Sequence, residues 1–123
     1  MKFNDNQPIF LQIADYICDM IIRENLTTDS SIPSIRELAV LLEVNPNTVM
    51  RAFERLSANE IVYNKRGIGF FVAPEANLKI LSQRRKRLFN DILPGIFEEM
   101  KLIGVSNEEF IRLRNDYEKS DKH

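Results

Sequence analysis

Apolar residues recur at three- and four-residue steps along three segments in the first half of the chain, which predicts three amphipathic helices. The first segment runs from about Pro8 to Glu24, the second begins after Ser34, and the third begins after Asn45. Helices with one apolar face of this kind pack around a shared core. The positions predicted to face that core are Ile9, Ile13, Ile17, Met20 and Ile21, then Ile35, Leu38, Ala39, Leu41 and Leu42, then Val49, Ala52, Phe53 and Leu56.

The two shorter helices have clear N-terminal signals. Ser34 is followed three residues later by Glu37, which is the pattern of a capping box. Asn45 is a favoured N-cap, and Pro46 stands at the first helical position, where its missing N–H costs nothing. The connection between the helices is about four residues, which is typical of a helix-turn-helix. The side of the third helix away from the core then carries Asn47, Thr48, Arg51 and Arg55.

A β-hairpin is predicted directly after the third helix. Residues 61–63 and 70–72 are strand formers, and Gly67 and Gly69 between them allow a tight reversal. Lys65 and Arg66 are expected at the tip, where they are placed to touch phosphate or enter a minor groove; a merely solvated turn is the alternative. The predicted fold class is therefore mainly α with a small β-hairpin, a winged helix-turn-helix followed by a C-terminal helical region.

Four motifs follow one another between Pro8 and Val72: PIFLQIADYICDMI, IPSIRELA, VNPNTVMRAFERL and RGIGFFV. Together they resemble the N-terminal domain of GntR-family bacterial transcription regulators, and VNPNTV followed by RAFERL resembles the YtrA-like subfamily. The resemblance implies that the chain binds double-stranded DNA. It also implies that the contacts come from the residues at the family's DNA-binding positions, which here are Arg36, Asn45, Asn47, Thr48, Arg51, Lys65, Arg66 and Gly67.

The sequence departs from the family pattern at two turns. Glu43 and Glu60 stand where the family usually has glycine, before and after the third helix. If those positions are left-handed, each non-glycine residue costs about 1–2 kcal/mol; Asn59 is an alternative residue for the second turn. Pro46 and Met50 stand where many relatives have arginine, so we expect a base preference different from theirs.

The last third of the chain has a different pattern. Residues 75–103 predict one long helix that is kinked or interrupted at Pro94-Gly95, because proline removes a helix hydrogen bond. A second helix is predicted after Ser106, which forms a capping box with Glu109. The long helix has an apolar stripe too wide for solvent, and its central members are Leu88, Ile92, Ile96 and Met100.

Such a stripe needs a partner surface, and two helices are too few to enclose a sizeable ligand cavity. Pairing with the same region of a second subunit is favoured, and the resemblance implies the same; folding back onto the winged domain is the alternative. We therefore expect a winged domain over residues 1–73 and a two-helix dimerisation region over residues 74–123. An unidentified small-molecule effector, if there is one, is expected at the dimer interface or between domains. The run Arg84-Arg85-Lys86-Arg87 is interpreted as a solvated face, with added phosphate contacts as the alternative.

Composition narrows the class of protein. The net charge is −1, and residues 1–73 carry 7 basic and 9 acidic residues, which argues against nonspecific coating of DNA but not against a binder with one basic face. The single Cys18 excludes an internal disulfide and fits a reducing cytoplasm. No apolar run is long enough for a membrane span, and residues 1–5 lack the pattern of a signal peptide.

Enzymatic and metal-binding functions find no support in the motifs. There is no phosphate-binding glycine loop, no cysteine pair and no nucleophile with a base, and His123 is the only histidine. No cofactor and no metal is therefore predicted. The sequence predicts a cytoplasmic, homodimeric transcription regulator that acts as a repressor on a two-fold symmetric operator. The alternative function is a winged-helix protein-interaction module without specific DNA binding.

Overall fold

The computed structural model describes residues 2–121, and in that range it confirms the predicted fold class. The chain divides between Ser82 and Gln83 into two compact units. The only histidine, His123, lies outside the described residues. The elements are α1 (Ile9–Arg23), α2 (Ile35–Leu42), α3 (Pro46–Ala58), β1 (Val62–Lys65), β2 (Gly69–Val72), α4 (Ala76–Arg87), a π-helical turn (Leu88–Ile92), α5 (Leu93–Ile103) and α6 (Asn107–Ser120).

One hydrophobic core joins α1, α2, α3, the hairpin and the start of α4. Phe53 of α3 is fully buried, and its ring stacks on Phe70 of β2 with 4.2 Å between the centroids. Each such side chain contributes about 1.5–3 kcal/mol when it is fully buried. Cys18 is buried in this core. The other fully buried large side chains are Ile13, Ile17, Ile21, Leu38, Val49, Ile61, Val62, Val72 and Ile80.

The first unit extends beyond Ala73, where the sequence places the end of the winged domain. Ala76 and Ile80 of α4 are buried in the same core as α1 and α3. Asn77 donates from Nδ2 to the backbone oxygen of Leu26 at 3.3 Å. The first turns of α4 thus belong structurally to the winged unit.

The hairpin strands pair antiparallel, with Val62 opposite Val72 and Lys65 opposite Gly69. The strands are longer toward the turn than predicted, so the tip consists of Arg66, Gly67 and Ile68, and Lys65 is the last residue of β1. Gly67 has a φ of 80°, and three-residue hairpin loops favour a residue in this left-handed conformation. The expectation that Lys65 lies at the tip is therefore wrong by one residue.

A further stretch of backbone covers the outer edge of β2. The amide of Asp29 donates to the oxygen of Val72 at 2.8 Å, the amide of Val72 to Ser30 at 2.9 Å, and the amide of Ile32 to Phe70 at 3.0 Å. Residues 29–32 therefore form an edge segment against the hairpin, which is the wing of the fold, and the sequence did not predict this pairing. Pairing of this kind protects a strand edge that would otherwise be open.

Both turns that carry glutamate in place of glycine are left-handed. Glu43, the C-cap of α2, has φ 55° and ψ 49°, and Glu60 has φ 59°. Asn59 has φ −88°, so it does not replace Glu60 in that role. Each glutamate therefore holds a conformation that costs a side chain about 1–2 kcal/mol relative to glycine.

In the second unit the predicted interruption takes the form of a π-helical turn just before Pro94. The helical path continues from Gln83 through Leu88–Ile92 into α5 without a break. Proline lacks an N–H and its ring collides with the carbonyl four residues earlier, here that of Asn90. A wider turn at this point relieves that collision.

The rest of the second unit consists of α5 and α6, which a short turn joins. α5 ends at Gly104, which has φ 77°, and Ser106 caps α6 by accepting a hydrogen bond at Oγ from the Glu109 amide at 3.1 Å. Within the described residues, no residue of the π turn, α5 or α6 is buried. Many of their large apolar side chains therefore face solvent.

Candidate nucleic-acid interface

The start of α3 is fixed by Asn45 and Pro46. The Asn45 side-chain oxygen accepts a hydrogen bond from the amide of Asn47 at 2.8 Å, and Pro46 is the first helical residue. Both features were predicted from the sequence. Because the Asn45 oxygen is occupied by the cap, its side-chain NH₂ group is the part that is available as a donor to an external group.

The outward face of α3 is polar. Asn47, Arg51 and Arg55 are exposed and follow one another at four-residue steps, so they share one side of the helix. Thr48 is half-buried beside them. The opposite side of α3 is held in the core by Val49, Ala52, Phe53 and Leu56, which are buried. The core contacts thus orient the polar face toward solvent.

Met50, which the sequence marks only as a departure from relatives, is also exposed on this helix, at 42% of its surface. It follows Asn47 by three residues, and helical spacing is the signal that places it next to the polar stripe. Its thioether side chain adds an apolar contact point among hydrogen-bonding groups.

Arg36 lies at the second position of α2, directly after a complete capping box. The Ser34 oxygen accepts from the Glu37 amide at 3.0 Å, and the Glu37 carboxylate accepts from the Ser34 amide at 3.1 Å. The Arg36 side chain is exposed. The box sets where α2 begins and so fixes the position from which Arg36 extends.

The wing carries the other three predicted residues. Arg66 and Gly67 form the tip and are exposed, whereas the Lys65 ammonium lies over the Phe71 ring at 4.7 Å from its centroid. Ile68, which the sequence did not single out, completes the tip with 74% of its surface exposed. An apolar residue between the two turn glycines, Gly67 and Gly69, was visible in the sequence, but its exposure depends on the loop length.

The eight predicted residues all lie in the first unit, on α2, on α3 with its cap and on the hairpin. The Phe53–Phe70 stack connects α3 directly to the wing through the core. A hydrogen bond also joins β1 to the edge segment, because the Tyr63 hydroxyl donates to the Asp29 carboxylate. That hydrogen bond raises the pKa of the Tyr63 phenol above its ordinary value. The wing is therefore held firmly on the core that carries α3.

Other kinds of site find no basis in the described part of the chain. Residues 2–121 contain no group of three or more histidine, cysteine, aspartate or glutamate side chains arranged to hold a metal ion. No helix in this range is long and apolar enough to cross a bilayer. In the basic run, the Arg85 guanidinium lies over Phe89 at 5.0 Å, and the role of the run stays a prediction.

The fold combines a scaffold helix (α1), a helix-turn-helix (α2 and α3) with a polar outward face, and a basic hairpin. This combination defines a winged helix-turn-helix protein. The model of the family "Bacterial regulatory proteins, gntR family" matches residues 10–72. YhcF, an uncharacterised HTH-type transcriptional regulator of Bacillus subtilis, is 36% identical over 110 residues, which are 89% of this chain and 89% of that protein. YtrA of the same organism, an HTH-type transcriptional repressor, is 30% identical over 102 residues, which are 83% of this chain and 78% of YtrA.

Solved structures agree with this assignment. A GntR family transcriptional regulator from Listeria monocytogenes superposes with a TM-score of 0.71 at 31% identity, covering 93% of this chain and 98% of the other. The AraR DNA-binding domain, solved in complex with the operator ORX1, matches with a TM-score of 0.54 at 26% identity over 58% of this chain and 93% of that domain. The chain belongs to the gntR family of bacterial regulatory proteins, and it is a transcription regulator rather than an enzyme.

Proposed function

We propose that this regulator is a repressor that binds a two-fold symmetric operator as a homodimer. α3 would lie in the major groove, and the wing would contact the neighbouring backbone or minor groove. The observation that carries the proposal is the outward stripe of Asn47, Arg51 and Arg55 on a helix whose other side is locked in the core. The AraR domain, which has a similar fold, is solved in complex with operator DNA, and this supports operator binding by the first unit.

The predicted contacts divide into three groups. Arg51, near the middle of α3, is suited to bidentate pairing with guanine, and Asn47 and Thr48 at its start are suited to base edges or phosphates. Arg36, Lys65 and Arg66 are suited to phosphates, which hold the domain on the duplex without reading sequence. The NH₂ group of Asn45 and the backbone at Gly67 are placed to add short-range hydrogen bonds.

The homodimer is proposed from the second unit alone. Leu88, Ile92 and Ile96 are 41%, 42% and 41% exposed, and Phe89 and Phe97 are about half exposed. Helices with this many solvent-facing apolar side chains gain free energy by pairing, at roughly 25 cal/mol for each Å² of apolar surface removed from water. A symmetric pair of such units would place two winged domains on two half-sites.

Repression is favoured over activation because YtrA, which matches along most of its length, is named a repressor. A dimer bound across a promoter excludes polymerase without needing any further contact. Action in the cytoplasm fits this role. If a small molecule regulates binding, we expect it at the dimer interface or between the domains, since pockets favour such junctions.

A footprint on the DNA upstream of the protein's own gene tests the proposal. We expect a protected region with two symmetric halves at nanomolar to micromolar protein, with affinity that falls steeply as salt rises. Equal protection along the whole fragment, or none, would contradict sequence-specific binding and favour the protein-interaction alternative.

A further inference from the structure

Phe10, in the first turn of α1, lies directly beneath the arginine that we place on guanine. The Arg51 guanidinium carbon is 4.2 Å from the centroid of the Phe10 ring. This is within the distance at which a cation is attracted by the negative face of an aromatic ring. Phe10 precedes Ile13 by three residues, and Ile13 is fully buried. The part of α1 that carries the ring is therefore held in place by the packing of Ile13 in the core.

The surroundings of Arg51 make this contact the one that sets its direction. In residues 2–121, no carboxylate forms a salt bridge with Arg51. The side chain is nevertheless exposed, on a helix that is otherwise rigidly packed. A long side chain of this type loses about 0.5–1.5 kcal/mol of conformational freedom when a partner immobilises it. A contact that orders it beforehand removes part of that cost.

We propose that Phe10 is a positioning residue that holds Arg51 ready to read a base. A ring contact holds the guanidinium by its charge and plane rather than by consuming its N–H donors, so the donors stay available for a guanine edge. An ion pair with a carboxylate would instead occupy those donors and would have to break on binding. The inference rests on the proposed function, because it assigns Phe10 a role only if α3 reads DNA.

The consequence is a link between a residue outside the helix-turn-helix and base preference. Loss of the ring leaves Arg51 in place but disordered, so the affinity for the preferred operator should fall by about two- to ten-fold. Operators that lack the matching base should lose less, because there Arg51 makes no bidentate contact. The specificity at one base position in each half-site should therefore fall with the affinity.

A double-mutant cycle on the full chain tests this. Phe10→Leu removes the ring but keeps an apolar side chain, Phe10→Tyr keeps the ring, and both are combined with Arg51→Ala. Dissociation constants are measured for the preferred operator and for the same operator with a replacement at the base pair that Arg51 is proposed to contact. Urea unfolding of each variant shows whether the fold is intact. We expect Phe10→Leu to lower the affinity for the operator by about two- to ten-fold, and Phe10→Tyr to bind about as tightly as the parent. In the Arg51→Ala background, Phe10→Leu should not lower the affinity further.

The possible failures are distinguishable. If Phe10→Leu weakens binding equally with and without Arg51, Phe10 acts on the fold or on DNA directly and the positioning role is overturned. If Phe10→Leu has no effect while Arg51→Ala does, the ring is not needed and the role is also overturned. If Arg51→Ala itself changes nothing, the recognition face of the proposed function is wrong.

A readout without DNA completes the test. The ¹⁵N relaxation of the Arg51 Nε–H group in the free protein reports how ordered the side chain is on the fast timescale. We expect a restricted Nε–H in the parent and in Phe10→Tyr, and a mobile one in Phe10→Leu. Equal mobility in all three proteins would contradict ordering of Arg51 by the ring.

Discussion

The two units of this chain treat their apolar faces in opposite ways. In the winged unit α1, α2 and α3 bury most of their periodic apolar positions against one another and the hairpin, although Ile9 and Leu41, which were predicted to face the core, are 44% and 62% exposed. In the second unit no residue of the π turn, α5 or α6 is buried, although these helices carry many large apolar side chains. A unit that satisfies its own core can fold alone, whereas a unit that leaves a wide apolar face in solvent gains stability from a second surface. We infer that the first unit, here called the reader, binds DNA. The second unit, here called the coupler, joins two subunits into a dimer.

The largest expected effect comes from placing a charge in the exposed apolar face. Ile92→Asp should make the protein monomeric, because an unpaired charge is strongly unfavourable in an apolar interface. The second half-site contact then ceases to be intramolecular, and operator affinity should fall by about 10²–10⁴. Analytical ultracentrifugation with operator titration measures both, and Ile92→Leu, which keeps the apolar surface, should remain dimeric and bind normally. A dimeric Ile92→Asp protein would contradict the assignment of this face.

Removing the second unit is an independent test of the different roles of the two units. The chain should be cut after Ser82, because Ala76 and Ile80 belong to the winged core; a cut at Ala73, the boundary expected from sequence, should cost stability. Residues 1–82 should fold cooperatively, run as a monomer and bind a full operator about 10²–10⁴ more weakly than the whole chain. Circular dichroism, sedimentation and titration check these three points. Undiminished affinity in a monomer would show that the second unit is not the coupler.

Within the reader, Arg51→Ala should cost about 1–3 kcal/mol per half-site and relax the preference at one base position. Titration against the operator and its single-base variants measures both quantities. Arg23→Ala is the matched control, since it removes the same charge from an exposed position in the last turn of α1. If both variants lose the same affinity and keep the same base preference, the loss comes from net charge. The assignment of the outward face of α3 to base contacts would then be wrong.

Arg36→Ala should have a smaller and more uniform effect. We expect weaker binding to all sequences to a similar degree and a salt dependence reduced by about one unit of slope, because one phosphate contact is lost. Titrations at several salt concentrations on operator and on unrelated DNA provide the test. A loss confined to one base pair would instead show that Arg36 reads sequence.

The smallest expected effect concerns stability. Glu43→Gly should raise the free energy of unfolding by about 1 kcal/mol, because glycine adopts φ 55° without the strain of a side chain. Glu43→Ala removes the same charge but keeps the strain, so it should give no such gain. Urea unfolding at one protein concentration compares the three proteins. Equal stabilisation by glycine and alanine would mean that charge, rather than backbone strain, sets the cost.

Much of the fold followed from local patterns in the sequence. Helix starts at Ser34, Asn45 and Ser106 were predictable because capping is a short-range hydrogen-bond pattern, and the left-handed turns at Glu43 and Glu60 were predictable from the glycines they replace. The edge segment at residues 29–32 was missed because its pairing with β2 joins residues about forty apart in the chain. The form of the interruption near Pro94 was likewise decided by how the backbone relaxes around the proline ring.

The candidate interface was predictable to the same depth. The polar positions of α3 follow from helical spacing, so Asn47, Thr48 and Arg51 were within reach of the sequence, but their roles in binding stay predictions. The contact of Phe10 with Arg51 was not predictable, because it depends on how α1 crosses α3. The position of Lys65 was also decided by tertiary structure, since its place at the end of β1 depends on the strand register.

Selection of bound sequences from a random pool of duplex DNA with the whole chain tests the central claim most directly. If two readers are joined by a symmetric coupler, the enriched sequences should share an inverted repeat. The centres of its half-sites should lie one helical turn or a multiple apart, with about 10 base pairs to each turn. Enrichment of a single unsymmetric site, or no enrichment over the starting pool, would contradict it.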